Sequence, residues 1–461
     1  MPAQRGPHSW ESAPGLPFAG PPFAGPPFAN PPRPARGRGL LVGGALALVA
    51  ALVVGAGAVY VANREPLDSR AEAATQPAPG RPLTPSELVS QTLKRQTAAL
   101  LHGDEKAWLA AVDPGQPKLR SQYRTMYRSL RALGVTYFEY KTHSVQGGSG
   151  EFRVDADVAY CFADHQCVVD KSVGSDGPPT VTQHLKLRSI KGQWLITSQT
   201  ARTSVQAQEP APWETSALVT ANGKRVTLVA MRSEQKYFRR LLPMAEQAAT
   251  INDRFAVLVG NPQKRYRIYL AGAKQWKSWY GGMTDKWVVG YALPLNEAGT
   301  DVVLNMAELK NDTRLLATTI QHELGHVVTV GGVHRRSYTG PGDMWLKEGI
   351  AEYIGWYPQP ATASWRRQSV RDAVNGSHRP TSIALKALNA DARTEEGDAF
   401  YGLGHFAADC IATKYGQRAL FTFVRLYLRE DRDLDPASRE AFGRPFKTVD
   451  SSCVAWIRDR A

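Results

Sequence analysis

Two histidines four positions apart, with a glutamate directly after the first, stand at His322-Glu323-Leu324-Gly325-His326. Imidazole nitrogen and carboxylate oxygen are the donors that a borderline-soft divalent ion such as zinc takes. On a helix a spacing of four is about one turn, so both rings leave the same face and can share one ion, with Glu323 beside it to take and return a proton. The pattern therefore demands a helix. Leu315, Leu316, Ile320, Leu324, Val327 and Val328 recur at helical spacing around it, and Gly331-Gly332 end the run. A zinc site also needs a third protein ligand, and two residues downstream are candidates, His334 and Glu348. Glu348 lies in MWLKEGIAEY (residues 344–353), which reads as a second helix, and antiparallel packing on the first would bring its carboxylate over the histidine pair. The expected site is one zinc ion per chain on His322, His326 and Glu348.

His334 is out of register for the metzincin pattern H-E-x-x-H-x-x-G-x-x-H, which would need glycine at Thr329 and histidine at Gly332. HELGH followed by WLKEGIAEY instead resembles the gluzincin metallopeptidases of the peptidase MA type, in the branch whose second motif is W-L-x-E-G-x-A. The resemblance covers about residues 220–430. It implies zinc on His322, His326 and Glu348, with Glu323 as general base toward a water whose pKa the metal lowers to about 7. It also implies that Glu352, one turn after Glu348, orients a ligating imidazole. Tyr401, heading Tyr401-Gly402-Leu403-Gly404, resembles the family tyrosine that donates to the oxyanion, and His405 is the weaker alternative. Residues 302–306 would be the edge strand that aligns an extended substrate. The Gly-x-Met-Glu-Asn stretch of the related aminopeptidases is not matched; Asn305-Met306-Ala307-Glu308 is the nearest segment, so an exopeptidase role is unsupported. The implied activity is hydrolysis of peptide bonds in a peptide or protein substrate. A catalytically silent zincin that binds or senses at the cell surface is the alternative.

Such a site must be carried by a sheet and by helices that back it. Residues 225–231, 265–271, 288–293 and 301–306 read as strands, with a helix at 233–256 between the first two and mostly helix beyond Thr313. Residues 217–461 are thus expected to form a zincin-like domain with a sheet first and helices after. Close approach of the two metal-bearing helices would offset the cost of Gly325 and Gly349 inside them, about 1 kcal/mol each.

Upstream, Thr84-Pro85-Ser86-Glu87 is a helix start: a threonine cap, proline at the first helical position and glutamate three residues after the cap. Short helices are expected near 105–112 and 119–133, then alternating stretches at 135–142, 151–163, 167–173 and 180–200. Helices followed by an antiparallel meander make residues 84–205 an α+β unit, and this order, with LLHGDEKAWL at 100–109, resembles the NTF2-like cone fold. Its role would be ligand holding or support. QAQEPAPW and its neighbours, residues 206–216, read as a linker.

The chain has 461 residues, 56 Lys+Arg against 42 Asp+Glu, and a net charge of +14. Residues 39–62 contain no charge and would span about 36 Å as a helix, enough for a transmembrane segment. Residues 1–38, with the repeat PFAGP-PFAGP-PFANP, read as a disordered Pro-rich cytoplasmic tail and 63–83 as a stalk. Arg33, Arg36 and Arg38 favour an inside N-terminus, which puts the two domains outside the cytoplasm as parts of a single-pass cell-membrane protein. That location argues against nucleic acid as the partner of the positive charge and leaves anionic lipid or cell-wall polymer. It also permits disulfides. Of three pairings, Cys161–Cys167 with Cys410–Cys453 is favoured, four free thiols being the alternative.

Overall fold

The structure is a computed structural model that describes residues 83–461 except 149, 165–166, 168–176, 205–207, 286–287, 296–298, 334–341, 378 and 390–391. Arg81–Ala461 is one compact unit. Among the described residues no helix is long and apolar enough to cross a membrane. The expected span at 39–62, with the tail and stalk around it, lies outside the described residues. The described residues are α+β, and the fold class is corrected to that for them: none of their helices is a transmembrane element.

The first module opens with α1 (Pro85–His102). The Thr84 hydroxyl accepts the Glu87 N–H at 3.3 Å while the Glu87 carboxylate accepts the Thr84 N–H at 2.8 Å, so two N–H groups without helical acceptors are satisfied reciprocally. Helices α2 (Glu105–Ala110) and α3 (Pro117–Ala132) follow. Strands β1 (Val135–Gly147), β2 (Glu151–Phe162), β3 (Thr180–Ile190) and β4 (Gln193–Ala201) then form an antiparallel meander in sequence order. The expected stretch at 167–173 falls almost wholly outside the described residues. Helices pack on one face of this sheet around Trp108, Tyr123, Met126 and Phe138, all essentially inaccessible. The Trp108 indole donates to the Tyr123 carbonyl at 2.9 Å, which lets a polar N–H sit in that core.

The stretch expected as a linker is packed structure from Gln208 on. Pro212–Thr215 makes one helical turn, α4, and Trp213 is fully buried against Phe138 and Tyr160. The prolines gave the impression of an open tether; the tryptophan beside them decides the matter, because an indole of that size is stabilised by burial.

The second sheet has the order β5-β6-β7-β9-β8, built from β5 (Leu218–Asn222), β6 (Val226–Met231), β7 (Tyr266–Ala271), β8 (Gly290–Pro294) and β9 (Thr300–Asn305). Strands β6, β7 and β9 are parallel; β5 and β8 are antiparallel edges. Residues 302–306 therefore do not form the edge: β9 is interior, and the half-buried β8 is the edge strand beyond it. Helix α5 (Phe238–Val259) makes the crossover from β6 to β7, and after α6 (Ala273–Trp276) and α7 (Met306–Leu309) come α8 (Thr313–Val330), α9 (Met344–Trp356), α10 (Arg367–Asn375), α11 (Thr394–Tyr415), α12 (Gln417–Val424), α13 (Leu434–Phe442) and α14 (Phe446–Arg460).

The central strands are buried on both faces, which explains their near-continuous apolar reading. Leu228, Ile268, Leu270, Val302 and Leu304 face the helices, whereas Val229, Tyr269 and Val303 join the core of the first module. A buried polar group crosses that seam: Arg267 of β7 pairs with Asp164 beyond β2 and, at 3.6 Å, with Asp301 of β9, whose carboxylate also accepts the Tyr280 hydroxyl at 2.6 Å. Both expected disulfides are present, Cys161–Cys167 and Cys410–Cys453; the second ties α11 to α14.

Candidate metal centre

Helix α8 carries the histidine pair and is fixed at both ends. Asp312 caps it by accepting the Leu315 N–H at 2.8 Å. At the other end the Asn261 amide donates to Val327, Val328 and Gly331 carbonyls and Arg429 donates to those of Thr329 and Gly331, replacing the missing helical donors. Helix α9 packs on it, with Gln321 donating to the Ile354 and Tyr357 carbonyls at 2.6 and 3.1 Å. Gly325 lets the two backbones approach: a Cβ there would lie 3.3 Å from the Ala351 Cα. Gly349 serves a different neighbour. Its missing Cβ would stand 2.5 Å from the Gly404 carbonyl oxygen, so it admits α11, the helix of Tyr401, against α9.

These contacts bring His322, His326 and Glu348 together. His322 Nε2 and His326 Nε2 are 3.1 Å apart, and Glu348 Oε2 lies 3.4 Å from the first and 3.2 Å from the second. A tetrahedral ion with bonds of about 2.0–2.1 Å has ligand–ligand edges of about 3.3–3.4 Å, so the three donor atoms form a triangle of the size zinc requires. They are the group of three in which a metal would be held among the described residues. His334 lies outside the described residues.

The imidazole of His322 is held in one orientation. Its Nδ1 is 3.1 Å from Glu352 Oε1, the other oxygen of Glu352 accepts from Arg366 at 3.1 Å, and Arg366 also reaches Asp398 at 3.1 Å. An Nδ1–H donated to Glu352 would leave the Nε2 lone pair available to a metal ion. Burial alone would depress the His322 pKa, but hydrogen bonds that its ring donates to the Glu348 and Glu352 carboxylates carry it up to about 10 in the metal-free protein. Burial would likewise raise Glu352; Arg366 and His322 bring it down to about 2. Glu348 is held below the usual carboxylate range by the two histidines despite its burial.

Glu323 is different. It is 5% exposed, its Oε2 is buried with no hydrogen-bond donor among the described residues, and burial pushes its pKa upward. A buried carboxylate oxygen without a donor costs stability, so its retention here is not explained by packing. Gly290 at the start of edge strand β8 leaves it room: a Cβ there would come 2.9 Å from Glu323 Oε1.

A narrow cleft of about 60 Å³ runs past these groups, lined by Gly290, Leu315, Thr319, His322, Glu323, Glu352, Trp365, Arg366 and Tyr401 among others. Tyr401 faces it with its ring centroid 6.0 Å from that of His322, and burial raises its pKa well above the usual value, so the phenol keeps its proton. His405 does not line the cleft. It is fully buried behind the site, and burial depresses its pKa to about 4. Arg366, Trp365 and Gly290 are cleft residues that sequence reasoning missed, since the adjacent pair Trp365-Arg366 before α10 and Gly290 of β8 arrive by packing from two elements with no motif around them.

No protein-family model matches the chain and no curated protein is significantly similar to it. Among solved structures it is similar to an NTF-2 like protein of unknown function from Shewanella oneidensis MR-1, at 16% identity and a TM-score of 0.21, over 26% of this chain and 98% of that one. It is also similar to a protein of unknown function with a cystatin-like fold from Nostoc punctiforme PCC 73102, at 15% identity and a TM-score of 0.20, over 26% and 93% of the two chains. The likeness concerns an NTF2-like fold in about a quarter of the chain.

Proposed function

We propose that the protein is a zinc-dependent peptidase of gluzincin type. The observation that carries this reading is the triangle of His322 Nε2, His326 Nε2 and Glu348 Oε2, with edges of 3.1–3.4 Å, beside Glu323, whose buried Oε2 has no hydrogen-bond partner among the described residues. Zinc, when bound by these three residues, supplies Lewis acidity toward a water and a peptide carbonyl. Glu323 takes the proton of the attacking water and delivers it to the leaving amine. Burial of Glu323 raises its proton affinity, as that two-way transfer requires. Glu352, backed by Arg366, keeps the His322 ring oriented through the cycle. Tyr401, a protonated phenol on the cleft wall, would donate to the oxyanion. Substrate lies extended along β8, the edge strand whose first residue stands over Glu323. Two disulfides support an oxidising compartment outside the cytoplasm.

The test measures metal content and peptide hydrolysis together. The purified protein should hold about one zinc per chain, and Glu323→Gln should retain the metal while hydrolysis of a diverse peptide library falls by at least about 100-fold. Full zinc occupancy with no cleavage of any peptide by the unaltered protein would sink the reading and leave a metal-bearing binding module.

A further inference from the structure

Outward from the metal-binding residues the cleft wall becomes a ladder of guanidinium and aromatic groups. Arg366 lies over Tyr401 and over Trp365, 5.3 and 5.2 Å from their ring centroids. Trp365 packs on Trp356 at 4.7 Å, and the Arg314 guanidinium lies 5.1 Å above Trp356 and 5.9 Å from Trp365. The two arginines differ in their partners. Arg366 is matched by Glu352 and Asp398, both at 3.1 Å. Arg314 is exposed and has no carboxylate partner among the described residues; the nearest acidic neighbour in sequence, Asp312, turns its carboxylate to the Leu315 N–H instead. Trp365, at 39% exposure, is one of the few large apolar side chains left open to solvent. The indole N–H of Trp356, although buried, has no acceptor among the described residues either. An exposed guanidinium and a partly exposed indole thus stand beside the cleft with no acidic partner among the described residues.

Arg314 precedes His322 by eight residues of one helix, about 12 Å. An extended peptide covers that distance in three or four residues, at about 3.3 Å each. We propose that Arg314, seated on Trp356 and Trp365, is a subsite for an acidic side chain of the substrate, some three or four residues from the bond that faces Glu323. The stacked indoles hold the guanidinium in place, so little side-chain freedom is lost when a carboxylate binds, and they lower its exposure to water on one side. The proposal rests on the peptidase reading for the identity of the ligand as a peptide.

The experiment uses the full chain, zinc-loaded and carrying Glu323→Gln so that bound peptides persist. Labelled neutral peptides of one length, each with a single Glu walked to a different position, are titrated against their all-Gln parent. One position should bind about tenfold tighter than the parent, the size of a charge-assisted hydrogen bond. Adding Arg314→Gln should erase that ratio, and Arg314→Glu should transfer the advantage to Lys at the same position; metal content and near-ultraviolet circular dichroism verify that both variants are folded. A flat Glu profile, or a Glu advantage that survives both variants, overturns the subsite. The unaltered protein is assayed for hydrolysis of the same peptides. Cleavage with a flat Glu profile removes the subsite and keeps the peptidase, whereas an Arg314-dependent Glu advantage without cleavage keeps the subsite and removes the peptidase.

Discussion

At the scale of single residues, the proposed peptidase reading separates the site into groups that would bind the metal, one that would transfer protons and others that would hold these in place. Glu352 belongs to the last kind, so Glu352→Ala should leave all three donor atoms in the chain yet weaken zinc about 10–100-fold, read by competition with a chelator. Removing the Tyr401 hydroxyl by Tyr401→Phe should lower kcat by about 100-fold or more with little change in KM, since an oxyanion donor acts only in the transition state. A matched rise in KM with kcat intact would assign the ring to substrate packing. His322, Glu323, His326 and Glu348 were legible because a one-turn spacing on a helix is local information, and the second motif repeats that logic. Arg366, Trp365 and Gly290 were not, because what makes them site residues is the element each is packed against, which no local pattern encodes.

At the scale of elements, helix α9 is held between α8 and α11, and the two contacts depend on different glycines. A methyl group at Gly349 would stand 2.5 Å from a backbone oxygen of α11, a neighbour that cannot rotate away. Gly349→Ala should therefore cost about 1–3 kcal/mol in chemical denaturation, by forcing apart the helices that bear Glu348 and Tyr401. The sequence marked Gly325 and Gly349 as points of close approach, and that much holds; it assigned both to one helix pair, because helical periodicity gives the packed face but not which neighbour lies on it. The edge strand was misread for a related reason. Strand β9 is the more apolar, being buried on both faces between β7 and β8, and apolarity marks the centre of such a sheet rather than its rim.

At the scale of the whole molecule, the two sheets share a core, and Glu214 of α4 lies in the seam. Its carboxylate accepts from the Ala211 N–H at 2.9 Å and the Gln183 amide at 3.3 Å, yet burial outweighs both and lifts its pKa to about 7. A raised carboxyl pKa means the folded state prefers the proton, so stability falls as pH climbs from about 4.5 to 7 and the full penalty remains above that. Glu214→Gln should raise the thermal midpoint at pH 8, with an upper bound of about 3 kcal/mol, and change little at pH 4. The Gln183 amide can flip to present its otherwise unpartnered oxygen to the new NH₂. Loss of the Cys410–Cys453 bond, which closes a separation of 43 residues, should cost about 4 kcal/mol, measured as the shift in denaturant midpoint of the double substitution Cys410→Ser with Cys453→Ser under oxidising conditions. The cysteine pairing and the helices-then-meander order of the first module were readable from spacing and period, whereas the shared core was hidden by prolines that resembled a tether.

The seam also imposes an order of events during synthesis. Ser129 of α3 donates to the Ser216 carbonyl at 2.7 Å and accepts the Leu218 N–H at 3.0 Å, and Tyr269 and Val303, emerging later still, complete the apolar layer over the first sheet. When residue 201 leaves the ribosome the first module has all its strands but lacks part of its cover, and its outer apolar surface must wait for about a hundred more residues, some 5–20 seconds at ordinary elongation rates. During that interval the nascent chain presents a surface suited to a holding chaperone, and a protein cut at the proline-rich segment would keep that surface exposed for good.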